Sequence, residues 1–325
     1  MITELEISNF KSIKHLKEAC TRINIFVGEP NAGKSNILEA LGFLSYTQFH
    51  GNATLHQFIR YTRTTNLFHD DFIDEPFVIK LGPLSSRVQF ENGTFSGKVF
   101  NGENWACDIT GDYNNIGVLS VGPAFNQKPL VKFYRFGISD SYTRPESDFL
   151  LPPDGKNLVS LLLTNRDLRS TANDIFNKYG LKLVLKPHEN KMEIMKQVED
   201  VLISYPYMLV SDTLQRVIFH LSAILTNKDS VLVFEEPESH SFPYYTKHLA
   251  EIMALDQGNN QYFIATHNPY FLEPIVEKTP KEDLSVFVTS FSDYQTKVKP
   301  LSHDQIADLM RIDVFSNLEI YSKRS

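Results

Sequence analysis

The stretch GEPNAGKS, which runs from Gly28 to Ser35, matches the phosphate-binding loop pattern Gly-x-x-x-x-Gly-Lys-Ser without a mismatch. Glycines allow the backbone to curl so that successive N–H groups face phosphate oxygens, and a helix that follows presents its N-terminus to the same charge. Residues 23–27 form a β-like run before the loop, and residues 36–44 carry apolar side chains at helical spacing after it. This order of strand, glycine-rich loop and helix predicts an α/β core that binds phosphate groups.

The side chains of the loop suit a nucleoside triphosphate accompanied by Mg²⁺. Lys34 would bridge the β- and γ-phosphates during catalysis, and the Ser35 hydroxyl would be a ligand of Mg²⁺. A surface turn before a helix is the alternative interpretation. The residues of this segment expected to contact the nucleotide are Gly28, Asn31, Ala32, Gly33, Lys34, Ser35 and Asn36.

A second motif, VLVFEEPE from Val231 to Glu238, consists of four apolar residues followed by paired carboxylates. The apolar run predicts a buried parallel strand, whose carboxyl end lies where α/β folds bind ligands. Glu235 would hold Mg²⁺, usually through water, and Glu236 would orient or deprotonate the attacking water. Adjacent strand residues point to opposite faces, so these two tasks require a turn, which Pro237 makes plausible. A solvated acidic strand end is the alternative.

A third motif, ATHNP at residues 265–269, directly follows a second predicted buried strand over residues 261–265. A histidine at the end of a strand can donate a hydrogen bond to a γ-phosphate oxygen and so sense its presence. A lone histidine is more often structural. However, His267 follows Glu236 by 31 residues and one predicted helix, and this spacing favours a catalytic role at the same site.

The remaining segments differ in their composition and periodicity. Residues 82–122 hold seven of the fifteen glycines between short apolar runs, which predicts an antiparallel meander with tight turns. Residues 130–136 resemble a further strand. The other predicted elements are a strand over residues 2–7, helices over 157–163, 167–179 and 213–226, strands over 181–185 and 284–289, and a terminal helix from His303.

Composition excludes several classes of protein. The chain has 325 residues, of which 42% are hydrophobic and 22% charged, so it can bury a sizeable core and is not mainly disordered. Its apolar runs are too short to span a membrane, and its N-terminus does not resemble a secretory signal. Two cysteines, Cys20 and Cys107, provide no disulfide framework and suit a reducing cytoplasm. A net charge of −7 argues against a strongly basic surface that wraps nucleic acid.

Taken together, these motifs resemble the ABC-type ATPase superfamily, and specifically its RecF/SMC/OLD-like branch of small AAA-domain ATPases. The resemblance covers most of the chain, through Ile7–Ile13, the phosphate loop, Asp154–Leu158, Ser211–Arg216, Phe234–Pro243 and Thr266-His267. It implies an α/β P-loop NTPase fold with a mixed or parallel core sheet, an antiparallel β lobe and a helical lobe. A single domain would then consist of a core at about 1–50 and 205–325, a β lobe at about 75–137 and a helical insert at about 150–205.

The resemblance also implies roles for residues outside the three motifs. Ser211–Arg216 corresponds to the signature segment, whose serine reaches the γ-phosphate bound by the other protomer, so Ser211 would act in trans. Thr213 departs from the family pattern, because a glycine is common at its position. A helix cap formed by Ser211 or Asp212 would also explain this segment. Lys11 matches the nucleotide-contacting stretch after the first strand, although an ordinary turn is equally consistent with it.

Two other family elements receive only candidate positions. Residues 238–240 would lie in the dimer-facing D-loop, or they would cap the next helix. The glutamine that normally contacts Mg²⁺ and the attacking water follows a strand that bridges the lobes. Gln127 and Gln89 are the candidates for it.

The function implied by the resemblance is Mg²⁺-dependent binding and hydrolysis of ATP, which closes a homodimer and then reopens it. About 58 of the 325 residues follow His267, which leaves no room for the nuclease domain that OLD-like proteins often carry. The effector of a DNA-related or phage-defence activity would therefore be a separate protein. The alternative is a nucleotide-gated scaffold that binds ATP, hydrolyses it negligibly and holds a partner.

A direct contact with nucleic acid is a further possibility, for which the insert provides six basic residues. They would bind phosphates, or they would form a solvated helical face. These residues are Lys156, Arg166, Arg169, Lys178, Lys182 and Lys186.

Overall fold

The computed structural model describes residues 1–51, 53–126, 129–143 and 147–311, which form three sheets and eight α-helices. The strands are β1 (Glu4–Phe10), β2 (Ile13–Ala19), β3 (Ile23–Gly28), β4 (Phe77–Leu81), β5 (Leu84–Glu91), β6 (Thr94–Asn101), β7 (Asn104–Gly111), β8 (Ile116–Val121), β9 (Val131–Tyr134), β10 (Lys182–Lys186), β11 (Lys191–Val198), β12 (Val201–Pro206), β13 (Val231–Glu235), β14 (Gln261–Ala265), β15 (Leu284–Ser292) and β16 (Gln295–Pro300). The helices are α1 (Lys34–Phe49), α2 (Leu55–Phe58), α3 (Leu158–Thr164), α4 (Arg166–Asn177), α5 (Asp212–Thr226), α6 (Pro243–Ala254), α7 (Pro269–Lys278) and α8 (His303–Arg311).

The core sheet has six strands in the order β16-β15-β3-β14-β13-β9, and all of them except β16 run parallel. Its central strands are buried along almost their whole length, as expected for a parallel sheet covered on both faces. The carboxyl ends of β3, β9, β13 and β14 consequently meet at one edge. The predicted strands over residues 23–27, 231–234 and 261–265 are all present in this sheet.

Helix α1 lies between the core sheet and a second, antiparallel sheet. It contacts β9, β13 and β14 on one side and β1 and β4 on the other. Thirteen of its sixteen residues are buried, because a helix between two layers has almost no solvent-facing side. The first turn of this helix, which follows the phosphate loop, is therefore firmly anchored.

The antiparallel sheet has seven strands in the order β2-β1-β4-β5-β6-β7-β8. Strands β5–β8 form the meander predicted for residues 82–122. The N-terminal strand β1 also belongs here rather than to the core, because it buries one face only and pairs with β4. Conversely, β9 is buried on both faces and pairs with β13, so it belongs to the core sheet and not to the β lobe.

The third lobe is half helical and half β-structure. Helices α3 and α4 occupy the first part of the predicted insert, but residues 182–206 form the three-stranded antiparallel sheet β10-β11-β12. Its two turns contain Asn190 and Glu199 at positive φ angles of 52° and 53°. Glutamate is not typical of turns, so Glu199 did not indicate one. Charged residues around Met192 and Ile194 obscure the alternation of buried and exposed side chains. The second and third strands were therefore not predicted.

The C-terminal part combines a predicted strand and helix with an unpredicted strand. Strand β15 and helix α8 match the predictions, whereas the segment between them, for which no element was predicted, contains β16. No helix in the described part of the chain combines the length and apolar character needed to cross a membrane.

Candidate active site

The parallel strands bring the three predicted motifs to one edge of the core sheet. Strand β3 ends at Gly28 and opens into the phosphate loop, β13 ends at Glu235, and β14 leads directly into Thr266 and His267. The strands are in register, and backbone hydrogen bonds continue past their ends. The Glu236 N–H donates to the Ala265 carbonyl at 2.9 Å.

The phosphate loop requires glycine at two positions because other strands pack closely against it. Gly33 has a φ of 96°, and a Cβ atom there would lie 1.9 Å from the Thr296 hydroxyl oxygen. A Cβ atom at Gly28 would lie 2.3 Å from the Thr289 carbonyl oxygen. Asn31, with a φ of 62°, provides a further left-handed turn in the loop. The hairpin of β15 and β16 thus packs directly against the curled backbone of the phosphate loop.

Lys34 folds back over the loop that it follows. Its ammonium group donates hydrogen bonds to the carbonyl oxygens of Gly28 at 2.7 Å and Glu29 at 2.9 Å. Burial lowers the pKa of Lys34, while the carboxylates of Glu236, Glu235 and Glu29 act in the opposite direction. The two strand-end carboxylates therefore lie within electrostatic range of the phosphate-loop lysine.

Glu236 and His267 are in direct contact. The Nδ1 atom of His267 lies 2.8 Å from Oε1 of Glu236, and the Ser239 hydroxyl donates to Oε2 at 3.2 Å. Glu236 has a φ of 45°, which turns its side chain away from the face used by Glu235. This is the turn that the two separate tasks require. Both side chains are open to solvent, with exposed fractions of 37% for Glu236 and 59% for His267.

Two arginines that the sequence did not suggest hold the Glu235 carboxylate. Arg60 donates to Oε1 at 3.1 Å, and Arg135 donates to Oε2 at 3.3 Å. The same guanidinium groups also donate to Glu39, at 2.8 Å from Arg60 and 3.4 Å from Arg135. Glu39 is completely buried in α1, although it stands within a run of apolar residues. A charged residue in such a run was the available signal for this cluster.

Lys11 belongs to the same cluster, which we call the Glu39 cluster and which consists of Lys11, Glu39, Arg60, Arg135 and Glu235. The Lys11 ammonium donates to the Glu39 carboxylate and to the Arg60 carbonyl oxygen. Burial lowers the pKa of Lys11, and Glu39 opposes this effect. A nucleotide that contacts Lys11, as the sequence predicts, would compete with Glu39 for its ammonium group.

The remaining loop residues have mixed surroundings. The Asn36 amide donates to the Ser12 hydroxyl at 2.6 Å, and Ser12 lies 2.6 Å from the Thr296 hydroxyl. Ala32 is buried, whereas the Ser35 side chain is partly accessible at the start of α1. Asn36 therefore braces the loop from the side, and Ser35 remains available to a ligand.

Ser211 stands at the start of α5. It is exposed and precedes α5, yet its hydroxyl makes no capping hydrogen bond to any residue that the structure describes. Thr213, which replaces the common glycine, donates its hydroxyl hydrogen bond to the His240 carbonyl oxygen at 2.8 Å. The helix begins where the capping interpretation expects, but the Ser211 side chain does not cap it.

The two candidate glutamines receive no support as metal-contacting residues. Gln89 lies within β5 of the antiparallel sheet and pairs with Ser96. Gln127 lies outside the described residues. After β9, the strand that leads toward the third lobe, the residue that reaches Glu235 is Arg135.

The donor set fits Mg²⁺ that arrives with a nucleotide. A serine hydroxyl and a carboxylate, from Ser35 and Glu235, are hard oxygen donors of the kind that Mg²⁺ combines with water and substrate phosphates. Among the described residues, no group of three or more His, Cys, Asp or Glu side chains could hold a metal ion. Phosphate oxygens and water would have to complete the coordination of a Mg²⁺ ion held by Ser35 and Glu235.

Known proteins resemble this chain in sequence and in fold. Residues 1–136 match the family described as "AAA ATPase domain", and residues 132–273 match the one described as "AAA domain, putative AbiEii toxin, Type IV TA system". The fold is similar to that of an SmcHead bound to the C-winged helix domain of ScpA, with a TM-score of 0.54, 14% identity and coverage of 94% of this chain and 99% of that one. Two AAA ATPase domain models thus match adjoining parts of this chain, and its fold is similar to that of an SMC head domain.

Two further relatives of this ATPase extend the comparison. A Smc head domain with an extended coiled coil, bound to the C-terminal domain of ScpA derived from Pyrococcus furiosus, has a TM-score of 0.54 at 12% identity over 95% of this chain and 98% of that chain. An ATP/GTP phosphatase of Helicobacter pylori is 22% identical over an alignment 382 positions long, which covers 99% of this chain and 98% of the relative. The predicted α/β ABC-type fold and the predicted ATPase activity are both confirmed.

Proposed function

We propose that this ATPase hydrolyses ATP with Mg²⁺ at the edge formed by β3, β13 and β14, and that ATP closes two copies of the chain face to face. The observation that carries the proposal is the contact between Glu236 and His267 beside the phosphate loop. Two side chains with matched tasks, one for the water and one for the γ-phosphate, meet there at 2.8 Å. Because the carboxylate of Glu236 affects the pKa of Lys34, the pair lies within electrostatic range of the phosphate loop.

Each residue has a task in the hydrolysis. The loop N–H groups and Lys34 bind the β- and γ-phosphates, and Glu235 with Ser35 holds the metal. Bound Mg²⁺ neutralises phosphate charge. Glu236 accepts a proton from the water that attacks the γ-phosphorus, and His267 donates a hydrogen bond to a γ-phosphate oxygen. The products are ADP and inorganic phosphate.

The proposed dimer depends on Ser211. Its side chain is exposed and uncommitted at the start of α5, which suits a contact with a phosphate bound by another copy. A two-fold arrangement would use the same surface of both protomers, so each Ser211 would face the other protomer's ATP. The γ-phosphate would then contact both subunits, and ADP could not replace it.

Two variants test the function. Lys34→Ala removes the loop ammonium, so we expect it to abolish ATP binding or hydrolysis. Glu236→Gln removes the base, so we expect hydrolysis to stop while ATP still binds and a closed dimer accumulates. Light scattering of the Glu236→Gln protein with and without Mg²⁺ and ATP measures the mass directly. Glu273→Gln, an exposed change on α7, is the matched control and should behave as wild type.

The outcomes separate the parts of this proposal. Normal turnover by Glu236→Gln rejects Glu236 as the base. An unchanged mass despite ATP binding rejects closure of a homodimer. Wild-type protein that binds ATP tightly but turns over far below the roughly 1–10³ per second of typical enzymes supports the nucleotide-gated scaffold instead.

A nucleic-acid contact receives little support from the basic residues of the insert. Lys186 forms an ion pair with Glu193, and the Arg169 guanidinium donates to the carbonyl oxygens of Leu162 and Leu163. Such local bonding favours the solvated face over a phosphate-binding surface. We therefore propose that the partner in a DNA-related or defence activity is a separate effector protein. DNA binding that weakens steeply with added salt would overturn this assignment.

A further inference from the structure

Glu238 is a buried carboxyl group beside the active site to which the proposed mechanism gives no task. It lies in the turn between β13 and α6, and only 3% of it is exposed. Its Oε1 atom accepts a hydrogen bond from the Thr266 hydroxyl, whereas Oε2 has no hydrogen-bond partner in the described part of the chain. Burial raises its pKa to about 7. An unpaired buried oxygen costs stability, and residues that break this rule tend to lie at functional sites.

Thr266 connects Glu238 with the catalytic histidine. The Thr266 hydroxyl donates to Glu238 and accepts the backbone N–H of Asn268 at 3.0 Å. Because Thr266 and Asn268 flank His267, these bonds fix the backbone on both sides of the histidine. The position of His267 therefore depends on the place of the Glu238 carboxyl group.

The same turn is also tied to Glu236 and to the start of α5. The Ser239 hydroxyl donates to Glu236, and the His240 carbonyl accepts from Thr213, two residues after Ser211. Residues 236–240 thus connect the base with the histidine and with the segment proposed to reach the partner's nucleotide. Glu238 is the buried anchor in the middle of this turn.

We propose that Glu238 is a positioning residue, which acts through Thr266 to hold His267 against Glu236 so that both side chains face one γ-phosphate. The proposal rests on the proposed function. It requires no contact between Glu238 and the nucleotide. Displacement of catalytic groups by about 1 Å can lower a rate by a factor of about 100, so loss of the pair lowers kcat. The phosphate loop is untouched, so the affinity for ATP stays the same.

Three variants of the full-length protein test this assignment. The dissociation constant of ATP is measured with a fluorescent analogue and Mg²⁺, and kcat with saturating ATP. We expect Glu238→Ala and Thr266→Val to lower kcat by about tenfold or more, with the dissociation constant within about threefold of wild type. Glu238→Gln can still accept the Thr266 hydrogen bond through its amide oxygen, so it should keep at least about half of kcat.

Thr246→Val is the matched control for Thr266→Val. Thr246 is a buried threonine on α6, and its hydroxyl has no hydrogen-bond partner among the described residues. The same loss of an oxygen atom should therefore leave kcat unchanged at this position. A comparable loss of kcat in both threonine variants would mean a general packing effect and would overturn the proposal.

Two other results would also overturn it. Normal kcat in Thr266→Val removes the link between Glu238 and His267. A Glu238→Gln protein as slow as Glu238→Ala assigns a proton-carrying task to the carboxyl group instead of positioning. Failure of the proposed function is visible separately in the wild-type protein, through absent hydrolysis or an absent ATP-dependent dimer. The Glu238 result is the ratio of variant to wild-type kcat, measured on proteins that show the same ATP-dependent mass by light scattering.

Discussion

Two buried glutamates flank the active site, and their surroundings are opposite. Glu39, on the phosphate-loop side, is fully buried and accepts hydrogen bonds from Lys11, Arg60 and Arg135. Glu238, on the side of β13 and β14, is almost as deeply buried and accepts one hydrogen bond, from the neutral Thr266 hydroxyl. The first carboxylate is surrounded by positive charge, whereas the second has no positive charge beside it in the part of the chain that the structure describes.

The difference shows how one site can contain a rigid half and a responsive half. A buried carboxylate with several cations is stable as an ion, because hydrogen bonds and opposite charge replace the water that it has lost. A buried carboxyl with one neutral partner resists ionisation, and burial accordingly raises the pKa of Glu238 to about 7. The Glu39 cluster therefore holds its charged groups in place, whereas the charge of Glu238 is sensitive to small changes in pH.

Removal of the Glu39 charge should produce the largest effect. We expect Glu39→Gln to lower the free energy of unfolding by about 3 kcal/mol, because breaking a buried ion pair leaves an uncompensated charge. The Lys11 ammonium, which is only 11% exposed, loses its carboxylate partner in this variant. Urea unfolding followed by circular dichroism measures the change.

Glu6→Gln is the control for this experiment. Glu6 forms an ion pair with Lys80 on the antiparallel sheet, and half of the Lys80 side chain is exposed. Such a pair contributes about 0–1 kcal/mol, so this variant should unfold almost as wild type does. If both variants lose the same small amount, the cations do not depend on Glu39 and the contrast between the two glutamates disappears.

The ionisation of Glu238 should make the free energy of unfolding depend on pH. Its pKa rises from an ordinary value of 4.5 to about 7 in the folded protein, so the folded state binds the proton more tightly. The stabilising contribution is complete below the unfolded pKa and is lost as pH rises through the folded pKa. Between pH 5 and pH 8 the wild type should therefore lose about 2–3 kcal/mol relative to Glu238→Gln, which cannot ionise. Unfolding of both proteins at several pH values tests this, and parallel pH curves would contradict it.

The sequence predicted the parts of the site that local patterns determine. Gly28–Ser35, Glu235 with Glu236, and His267 each follow a short apolar strand, and parallel strands bring their carboxyl ends to the same edge. Their convergence therefore followed from three local patterns and one rule of topology. The same logic located the core strands of the fold.

The Glu39 cluster could not be predicted in this way. Its bonds join residues 21, 96 and 175 positions apart, from Arg60 to Glu39, Arg135 to Glu39 and Arg60 to Glu235. No local periodicity specifies such pairs. The strand β1 was predicted as a strand within the core segment at about 1–50, but it pairs in the antiparallel sheet, because pairing partners depend on distant sequence in the same way.

Arg135 joins Glu39 to Glu235, the proposed metal ligand. Its replacement should have the smallest effect of those considered and tests whether the Glu39 cluster influences Mg²⁺ binding. It donates to both Glu39 and Glu235 at more than 3 Å, so Arg135→Gln should cost little stability. Glu235 loses one of its two guanidinium partners and becomes more available to Mg²⁺. We expect the Mg²⁺ concentration for half-maximal ATP binding to fall about threefold, which corresponds to less than 1 kcal/mol.

A titration of fluorescent ATP binding with Mg²⁺ measures this shift, with Arg22→Gln as the control. Arg22 forms a comparable ion pair with Asp283, before β3 and thus at the opposite end of that strand from the phosphate loop. Its replacement should leave the Mg²⁺ dependence unchanged. A higher Mg²⁺ requirement in Arg135→Gln would mean that Arg135 helps to hold the nucleotide rather than competing for Glu235. The Glu39 cluster would then act on the substrate directly, and its rigidity would be part of catalysis instead of a support for it.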